Sequence, residues 1–492
     1  MKYFIGADLG TSALKLLLVN NTGEIIKEVT KEYPVYYPHT GWSEQNPEDW
    51  WNAFKWGVKA LIEDIDTAKI AGIGLGGQMH GLVVLDKADR VIRPAILWND
   101  GRTDKQTQYL NEVIGKEKLS KLTANIAFAG FTAPKILWLK ENEPENFESI
   151  SKIMLPKDFI NYRLTGVHCT DYSDASGMLL LDVKNKCWSR QMLDICGINE
   201  ETLPTLYESY QTVGTISSDI ADELGLNADI KVVAGAGDNA TAAIGTGTVY
   251  DGKCNISLGT SGTVFISSDI FAVDSKNALH SFCHSNGKFH LMACILSAAS
   301  CNKWFCEQIL QTNDYAGEQM NITDESLGNN SVYFLPYLMG ERSPINDTDA
   351  RGMFVGLSMD TTRADMVQAV LEGVAFAIKD NVEIAKEQGI NIKSSSLCGG
   401  GAKSPLWQKI LCNALNMEIS IPLTEQGPGY GGAMLAMVGA GKYASVEECA
   451  KEFVKIKSTL TPNPDLAKRY EEKYARFKEI YPSVKQLYKK LK

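Results

Sequence analysis

No stretch of this 492-residue chain approaches the run of about 18 apolar residues that spans a bilayer, so no membrane segment is expected. There is no basic excess either. The chain has 59 acidic and 49 basic residues, a net charge of −10. Nucleic-acid binders carry a basic footprint, so that class is set aside. The eleven cysteines include no CxxC pair and no metal-ligand spacing. In a chain this long they read as reduced, mostly buried thiols. Low-complexity segments and long linkers are missing. Met1-Lys2-Tyr3-Phe4 runs straight into the first motif, which leaves no room for a signal peptide, and a cytoplasmic protein is expected. Hydrophobic residues make up 44% and charged residues 22%, an ordinary globular composition. The length exceeds what one core fills, so two or three domains are expected.

One motif is present twice. Phe4-Ile-Gly-Ala-Asp-Leu-Gly-Thr-Ser12 leads into the apolar run Leu14–Val19. Asn255-Ile-Ser-Leu-Gly-Thr-Ser-Gly262 leads into Thr263–Ile266. Each copy reads as a hairpin. The tips, Gly10-Thr11-Ser12 and Gly259-Thr260-Ser261, expose backbone N–H groups and hydroxyls, which form concave anion sites. A lone Gly-Thr-Ser reads equally well as a polar turn. Two copies, half a chain apart, point to two similar lobes closing on the phosphates of one nucleotide.

Strands are expected at 3–8, 14–20 and 24–32, with a turn at Asn20–Gly23. A helix follows from Pro47 to Ile65, capped by Asn46, with Trp50, Phe54, Val58, Leu61 and Ile65 as its apolar stripe. Further strands are expected at Ile70–Leu75, Val83–Leu85, Arg93–Leu97 and Ile230–Ala234. Helical stretches are expected at Leu137–Asn142, Lys157–Leu164 and Ala240–Gly247. The first lobe closes near 247, so residues 1–247 and 248–492 form the two expected lobes. The second restarts with a strand at Cys254–Leu258 and carries a long helix, Thr362–Gln388. A strand around Leu397 runs into Gly399–Ala402, and a helix begins at Pro405. A last glycine-rich turn, Gly427–Gly432, opens a helix to Val438. The charges of the tail helix from Asp465 read as a solvated face.

Asp8 ends the first strand beside the first tip, where an ionised carboxylate can hold Mg²⁺ directly or through water. The alternative is a turn aspartate. Asp238 follows a strand and is bracketed by Gly235, Ala236, Gly237 and Ala240. A carboxylate at a strand end facing a cleft is a credible general base for a hydroxyl, and phosphoryl transfer needs one. It equally suits the N-cap of the helix that follows. Asp8 and Asp238 are the two candidate metal carboxylates. Gly400, Gly401 and Ala402 let backbone pass close to a flat ring or a phosphate. His80 can donate to a polyol hydroxyl, Met79 can pack the apolar side of a small sugar, and Asn239 is a further candidate contact. Trp98-Asn-Asp100 and Leu155-Pro-Lys-Asp158 offer polar groups that can converge there. His280-Ser-Phe-Cys-His284 reads as a strand rather than a metal site.

With these residues assembled, the chain resembles the FGGY family of carbohydrate kinases from Tyr3 to Leu491. One family signature stands as Gly130-Phe-Thr-Ala-Pro-Lys-Ile-Leu-Trp-Leu-Lys-Glu-Asn142. The other begins at Gly352-Met-Phe-Val-Gly-Leu and extends to Ala369-Val-Leu-Glu-Gly373. Gly41–Gln45, Gln78–Gly81, Leu97–Arg102, Leu155–Asp158 and Asp171–Gly177 resemble the bacterial members that phosphorylate xylulose rather than glycerol. The resemblance implies an α/β fold of two actin-like, ribonuclease-H-like lobes with the active site between them. It implies transfer of phosphate from ATP, with Mg²⁺, to the 5-hydroxyl of D-xylulose. Asp238 would be the proton acceptor, Met79 and His80 would contact the sugar, and Asp8 would lie near the metal and phosphates. The implied partners are the sugar and ATP, and the resemblance admits a homodimer. The rivals are a kinase of the same fold for another ketose, polyol or sugar acid, and a non-catalytic actin- or chaperone-like ATPase.

Overall fold

The computed structural model describes residues 1–423 and 427–490. Two seven-stranded sheets are built to one plan. In the first, β1 (Tyr3–Leu9), β2 (Ala13–Asn20) and β3 (Ile25–Glu32) form an antiparallel meander, and β4 (Ile70–Gly77) lies parallel to β1. With β5 (Thr212–Thr215) and β6 (Lys231–Val233), the order is β5-β6-β4-β1-β2-β3. The short strand Ala236–Gly237 pairs with the end of β4. The second sheet comprises β7 (Lys253–Leu258), β8 (Gly262–Ser268), β9 (His280–Cys283), β10 (Phe289–Ile295), β11 (Ser394–Cys398), β12 (Glu418–Pro422) and β13 (Ile456–Leu460). Its order is β9-β10-β8-β7-β11-β12-β13. The β7–β8 hairpin repeats the β1–β2 hairpin, and β11 lies parallel to β7 as β4 does to β1. The duplicated motif therefore marks the same hairpin in each sheet.

Helices form where apolar periodicity and caps coincide. α1 (Pro47–Ile62) has the Asn46 side chain accepting from Glu48 N and proline in its first turn. α2 (Thr132–Asn142) and α3 (Pro156–Thr165) cross the first lobe, and a short helix, α4 (Tyr172–Ser176), follows. α5 (Asp238–Gly245) begins at Asp238 itself. In the second lobe α6 (Arg363–Glu387) opens with a capping box between Thr362 and Asp365, and α7 (Pro405–Ala414) follows β11.

Two expectations are corrected. Gly427–Gly432 is no turn but the first half of α8 (Gly427–Gly439). Its glycines are there for close approach. A Cβ on Gly6 would lie 1.9 Å from Gly429 O, one on Gly431 1.9 Å from Thr241 O, and one on Gly245 2.4 Å from Gly427 O. Backbone touches backbone where β1, α5 and α8 meet, a gain that offsets the cost of about 1 kcal/mol per helical glycine. As a result α8 and the helix Val446–Phe453 bury their apolar faces in the first lobe's core, although in the chain they lie between β12 and β13 of the second sheet. Nor is the tail helix, α9 (Pro464–Tyr488), only a solvated face. Lys473 is buried against α6, its Nζ 2.5 Å from Glu372 Oε2. Glu372 Oε1 also accepts from Gly328 N and Tyr470 OH, so this part of the second signature is structural.

Among the described residues, no helix is long and apolar enough to cross a membrane.

Candidate active site

Asp8 and Asp238 lie on either side of the end of β4. Asp8 pairs across to Gly76, and Gly237, immediately before Asp238, pairs with Gly77. The carboxyl ends of parallel strands are where open α/β sheets leave a crevice. Asp238 Oδ1 accepts from Asn239 N at 2.7 Å and from Asn239 Nδ2 at 3.0 Å. The N-cap of α5 is Gly237, and no side chain caps it, so the Asp238 carboxylate is not used as a helix cap. Burial pushes its pKa up to about 7, and the neighbouring Asp8 charge adds to this. Asp8 is pushed up to about 6 by burial, with Lys15 opposing. Two buried carboxylates, one made costlier to ionise by the other, suit a general base and a nearby cation. Among the described residues there is no group of three or more His, Cys, Asp or Glu side chains that could hold a metal ion. A dedicated metal cage is thus not what this pair offers. It fits Mg²⁺ that keeps its waters and takes one or two carboxylates plus phosphate oxygens.

Both tips have their carbonyl groups tied back. The Gly10 carbonyl accepts from Tyr33 OH and the Thr11 carbonyl from Gln45 Nε2 at 2.7 Å. Trp98 Nε1 donates to Thr11 Oγ1 at 2.9 Å. At the second tip, Thr260 O accepts from Ala298 N and from Ser300 Oγ, and Gly259 O from Ala299 N. Beside it lies a cavity of about 840 Å³ whose lining includes Gly259, Thr260, Ser300, Lys303, Gly400 and Gly401. Gly399, at φ +91°, makes the turn into it, and a Cβ there would sit 2.7 Å from Leu258 O. Ser261 and Ala402 do not line this cavity, and neither do Gly10, Thr11 and Ser12 of the other lobe. Ser300 and Lys303 carried no sequence signal, because nothing in their segment repeats a motif.

Met79 fills a slot made by two glycines. A Cβ on Gly237 would lie 2.9 Å from Met79 Sδ, and one on Gly177 would lie 3.2 Å from Met79 Cε. The sulfur is 3.9 Å from Asn239 Nδ2. His80 adopts φ +68°, a left-handed conformation unusual outside glycine. Its carbonyl is held there by Lys135 Nζ at 2.8 Å and Thr132 Oγ1 at 3.1 Å. Its ring nitrogen Nδ1 lies 2.8 Å from Gly177 O. A carbonyl only accepts, so Nδ1 carries the hydrogen and Nε2 is bare. Burial, then the charges of Lys135 and Arg342, hold the imidazole neutral, with its pKa pushed down to about 3. The expected donor role is thus reversed: Nε2 can accept from a hydroxyl and cannot donate to one.

Of the polar groups expected to converge on the sugar loop, Asp100, Lys157 and Asp158 are consumed inside the protein, while Trp98 and Asn99 are exposed. Asp100 accepts from Ser43 N and pairs with Arg102, 2.7 Å away. Lys157 pairs with Asp158 at 2.6 Å and Asp171 at 3.0 Å, all fully buried. Asp171 Oδ2 accepts from Ser173 Oγ, whose oxygen in turn accepts from Gly237 N. Asp171–Gly177 therefore braces both the Asp238 turn and His80 from behind. Lys135 was present in the quoted signature, but its burial under His80 could not be read from it.

Two family models match the chain. The N-terminal domain of the FGGY family of carbohydrate kinases matches residues 3–245, and the C-terminal domain of that family matches residues 254–440. The chain belongs to the FGGY family of carbohydrate kinases. Among curated relatives, the xylulose kinase of Bacillus subtilis is 38% identical, covering 100% of this chain and 99% of the relative. The xylulose kinase of Lactococcus lactis is 39% identical over 99% of this chain and 98% of its own. A crystal structure of a xyloylose kinase from Brucella ovis superposes with a TM-score of 0.93 at 38% identity, covering 99% of this chain and 100% of that one. A gluconate kinase from Lactobacillus acidophilus reaches 0.94 at 27% identity, with 100% of both chains covered. Within the FGGY family, then, fold alone does not separate a ketose from a sugar acid.

Proposed function

We propose that this chain transfers the γ-phosphoryl group of ATP to the 5-hydroxyl of D-xylulose, giving D-xylulose 5-phosphate and ADP. The observation that carries the chemistry is Asp238, whose carboxylate caps no helix and lies across the end of β4 from Asp8, with its pKa raised toward neutrality. Its free oxygen takes the O5 proton as O5 attacks the γ-phosphorus, and the bond between that phosphorus and the β–γ bridging oxygen breaks. The N–H groups of Thr11 and Ser12 and of the 259–261 tip surround the phosphates, the Gly10 N–H being taken by Ala13 O, and the cavity lined by Gly400 and Gly401 takes the adenosine. Mg²⁺, held by Asp8, Asp238 and phosphate oxygens, would offset the charge of the triphosphate. Met79 and Asn239 pack against the sugar, and His80 Nε2 accepts from one of its hydroxyls. The choice of D-xylulose is supported by whole-length likeness to xylulose kinases at 38–39% identity. A cytoplasmic setting is supported by cysteines none of which is joined in a disulfide among the described residues.

A second reading is a sugar-acid kinase, favoured by the equal structural likeness to a gluconate kinase. A coupled ADP-release assay against ketoses, pentitols and sugar acids separates the readings. D-xylulose is expected to give the highest kcat/KM. A higher value for gluconate supports the second reading. ATP turnover that no sugar stimulates contradicts both and favours a non-catalytic ATPase.

A further inference from the structure

Arg342 lies in the second lobe, in a segment that carries no recognised motif. The segment is pinned to the end of β10. Glu341 Oε1 accepts from Leu296 N and from Arg342 N, each at 2.8 Å, and Ser343 N donates to Cys294 O at 3.1 Å. From there the guanidinium reaches toward the first lobe, 4.4 Å above the Phe128 ring. Phe128 is edge-on to Phe131 at 5.5 Å, and Phe131 stands 4.7 Å from the His80 ring. One aromatic wall thus runs from Arg342 to His80. The Arg342 charge bears on His80 and on Cys294, whose thiol is also hydrogen-bonded with the guanidinium, and Cys294 also feels Asp238. Arg342 therefore faces the sugar side of the cleft, away from the cavity beside Thr260. No carboxylate pairs with its guanidinium among the described residues.

We propose that Arg342 is the second lobe's contact to the sugar and donates to the ketose carbonyl. This rests on the reading that the substrate is a ketose. The argument is one of donors and acceptors. A guanidinium offers only donors, and His80 Nε2 offers only an acceptor. A carbonyl accepts and donates nothing, so it suits Arg342. A hydroxyl in its place brings a hydrogen that needs an acceptor of its own. Neither the guanidinium nor the Phe128 and Phe131 rings supply one, and the neighbouring buried His280 ring, 5.1 Å from Phe128, has a single bare nitrogen to offer. A site built this way rejects an analogue whose polar hydrogen is left unpaired.

The test is steady-state kinetics of Arg342→Met and Arg342→Lys with D-xylulose and with the two pentitols made by reducing its C2 carbonyl. Wild type is expected to prefer the ketose strongly. Arg342→Met is expected to raise the KM for D-xylulose between about 10- and 100-fold, the size of one lost charge-assisted hydrogen bond. The KM for ATP and the pentitol kcat/KM should stay within a few-fold, so the preference for the ketose collapses. Arg342→Lys keeps the charge without the planar fork and should fall between. If Arg342→Met does not fold, Arg342→Lys alone carries the test through the same selectivity ratio. An unmoved sugar KM overturns the proposal, as does an equal loss on ketose and pentitols or a fall in kcat alone. A wild type inactive on D-xylulose overturns the functional reading and this inference with it. A wild type active on D-xylulose whose selectivity ignores both substitutions overturns the inference alone.

Discussion

Gln78 donates through Nε2 to Gln45 Oε1 at 2.9 Å, and Gln45 donates through its own Nε2 to the Thr11 carbonyl at 2.7 Å. Both side chains are buried. The residue that begins the Met79–His80 loop is thereby coupled to the first phosphate tip through one glutamine. Trp50 Nε1 fixes that glutamine by donating to the same oxygen at 3.1 Å.

Gln45→Leu removes this link without a large change of volume. It strands Trp50 Nε1, leaves Gln78 Nε2 only its 3.4 Å bond to the Gly10 carbonyl, and frees the Thr11 carbonyl. Stranding a buried polar group costs roughly 1–3 kcal/mol. The expected result is a lower Tm together with raised KM values for both sugar and ATP. A variant with a lowered Tm but unchanged KM values would show that the link is structural only.

His80→Ala is expected to raise the KM for the sugar while leaving ATP affinity near wild type. His80 is held by Gly177, Thr132 and Lys135 of the first lobe, and it does not line the cavity beside Thr260. One neutral hydrogen bond contributes about 0.5–1.5 kcal/mol, so a rise of about 2- to 13-fold is expected. A drop in ATP affinity with sugar KM unchanged would place the residue on the wrong side of the cleft.

Much of this was legible in the sequence, for identifiable reasons. The two hairpins share a motif, and α1 and α6 announce themselves by Asn46–Pro47 and by Thr362. The glycines of α8 were not legible as helix, because Gly signals a turn unless one knows that Gly6, Gly245 and Thr241 lie against it. The buried role of Lys473 depends on Glu372, about a hundred positions away. The His80 tautomer depends on Gly177 O, and Arg342 is a lone arginine in an irregular segment. Each of these is set by a partner distant in sequence, so no local pattern could carry it.

Lys157 is the cation among Asp158, Asp171 and Asp174, all fully buried. Lys157→Met leaves that acidic cluster uncompensated. Removing one partner of a buried ion pair costs about 3–5 kcal/mol. The variant is expected to lose most of its soluble yield or to melt far below wild type. Near-normal thermal unfolding would show that the cluster is held by protons instead of by Lys157.

The raised pKa of Asp238 makes a prediction about stability without nucleotide or divalent cation. Its folded-state value, about 7, lies above the unfolded value of 3.8. Ionising it in the folded protein is therefore a penalty, fully present above pH 7 and fading as pH falls toward 4. Asp238→Asn removes that penalty. Its Tm should exceed wild type at pH 8, by an amount corresponding to roughly 1–3 kcal/mol once the partial opening to solvent is allowed for. The gain should shrink as the pH is lowered to 5. A gain that grows toward low pH would contradict the assignment.

The same substitution tests the central claim in turnover. Asp238→Asn nearly preserves shape, so sugar and nucleotide should still bind. Loss of a general base typically costs about 10²–10⁴-fold in rate. The decisive measurement is kcat of Asp238→Asn with D-xylulose and ATP against wild type, alongside D-xylulose binding by calorimetry. The account predicts a loss in that range with sugar affinity retained. A near-normal kcat would contradict it, because Asp238 would then not be taking the hydroxyl proton.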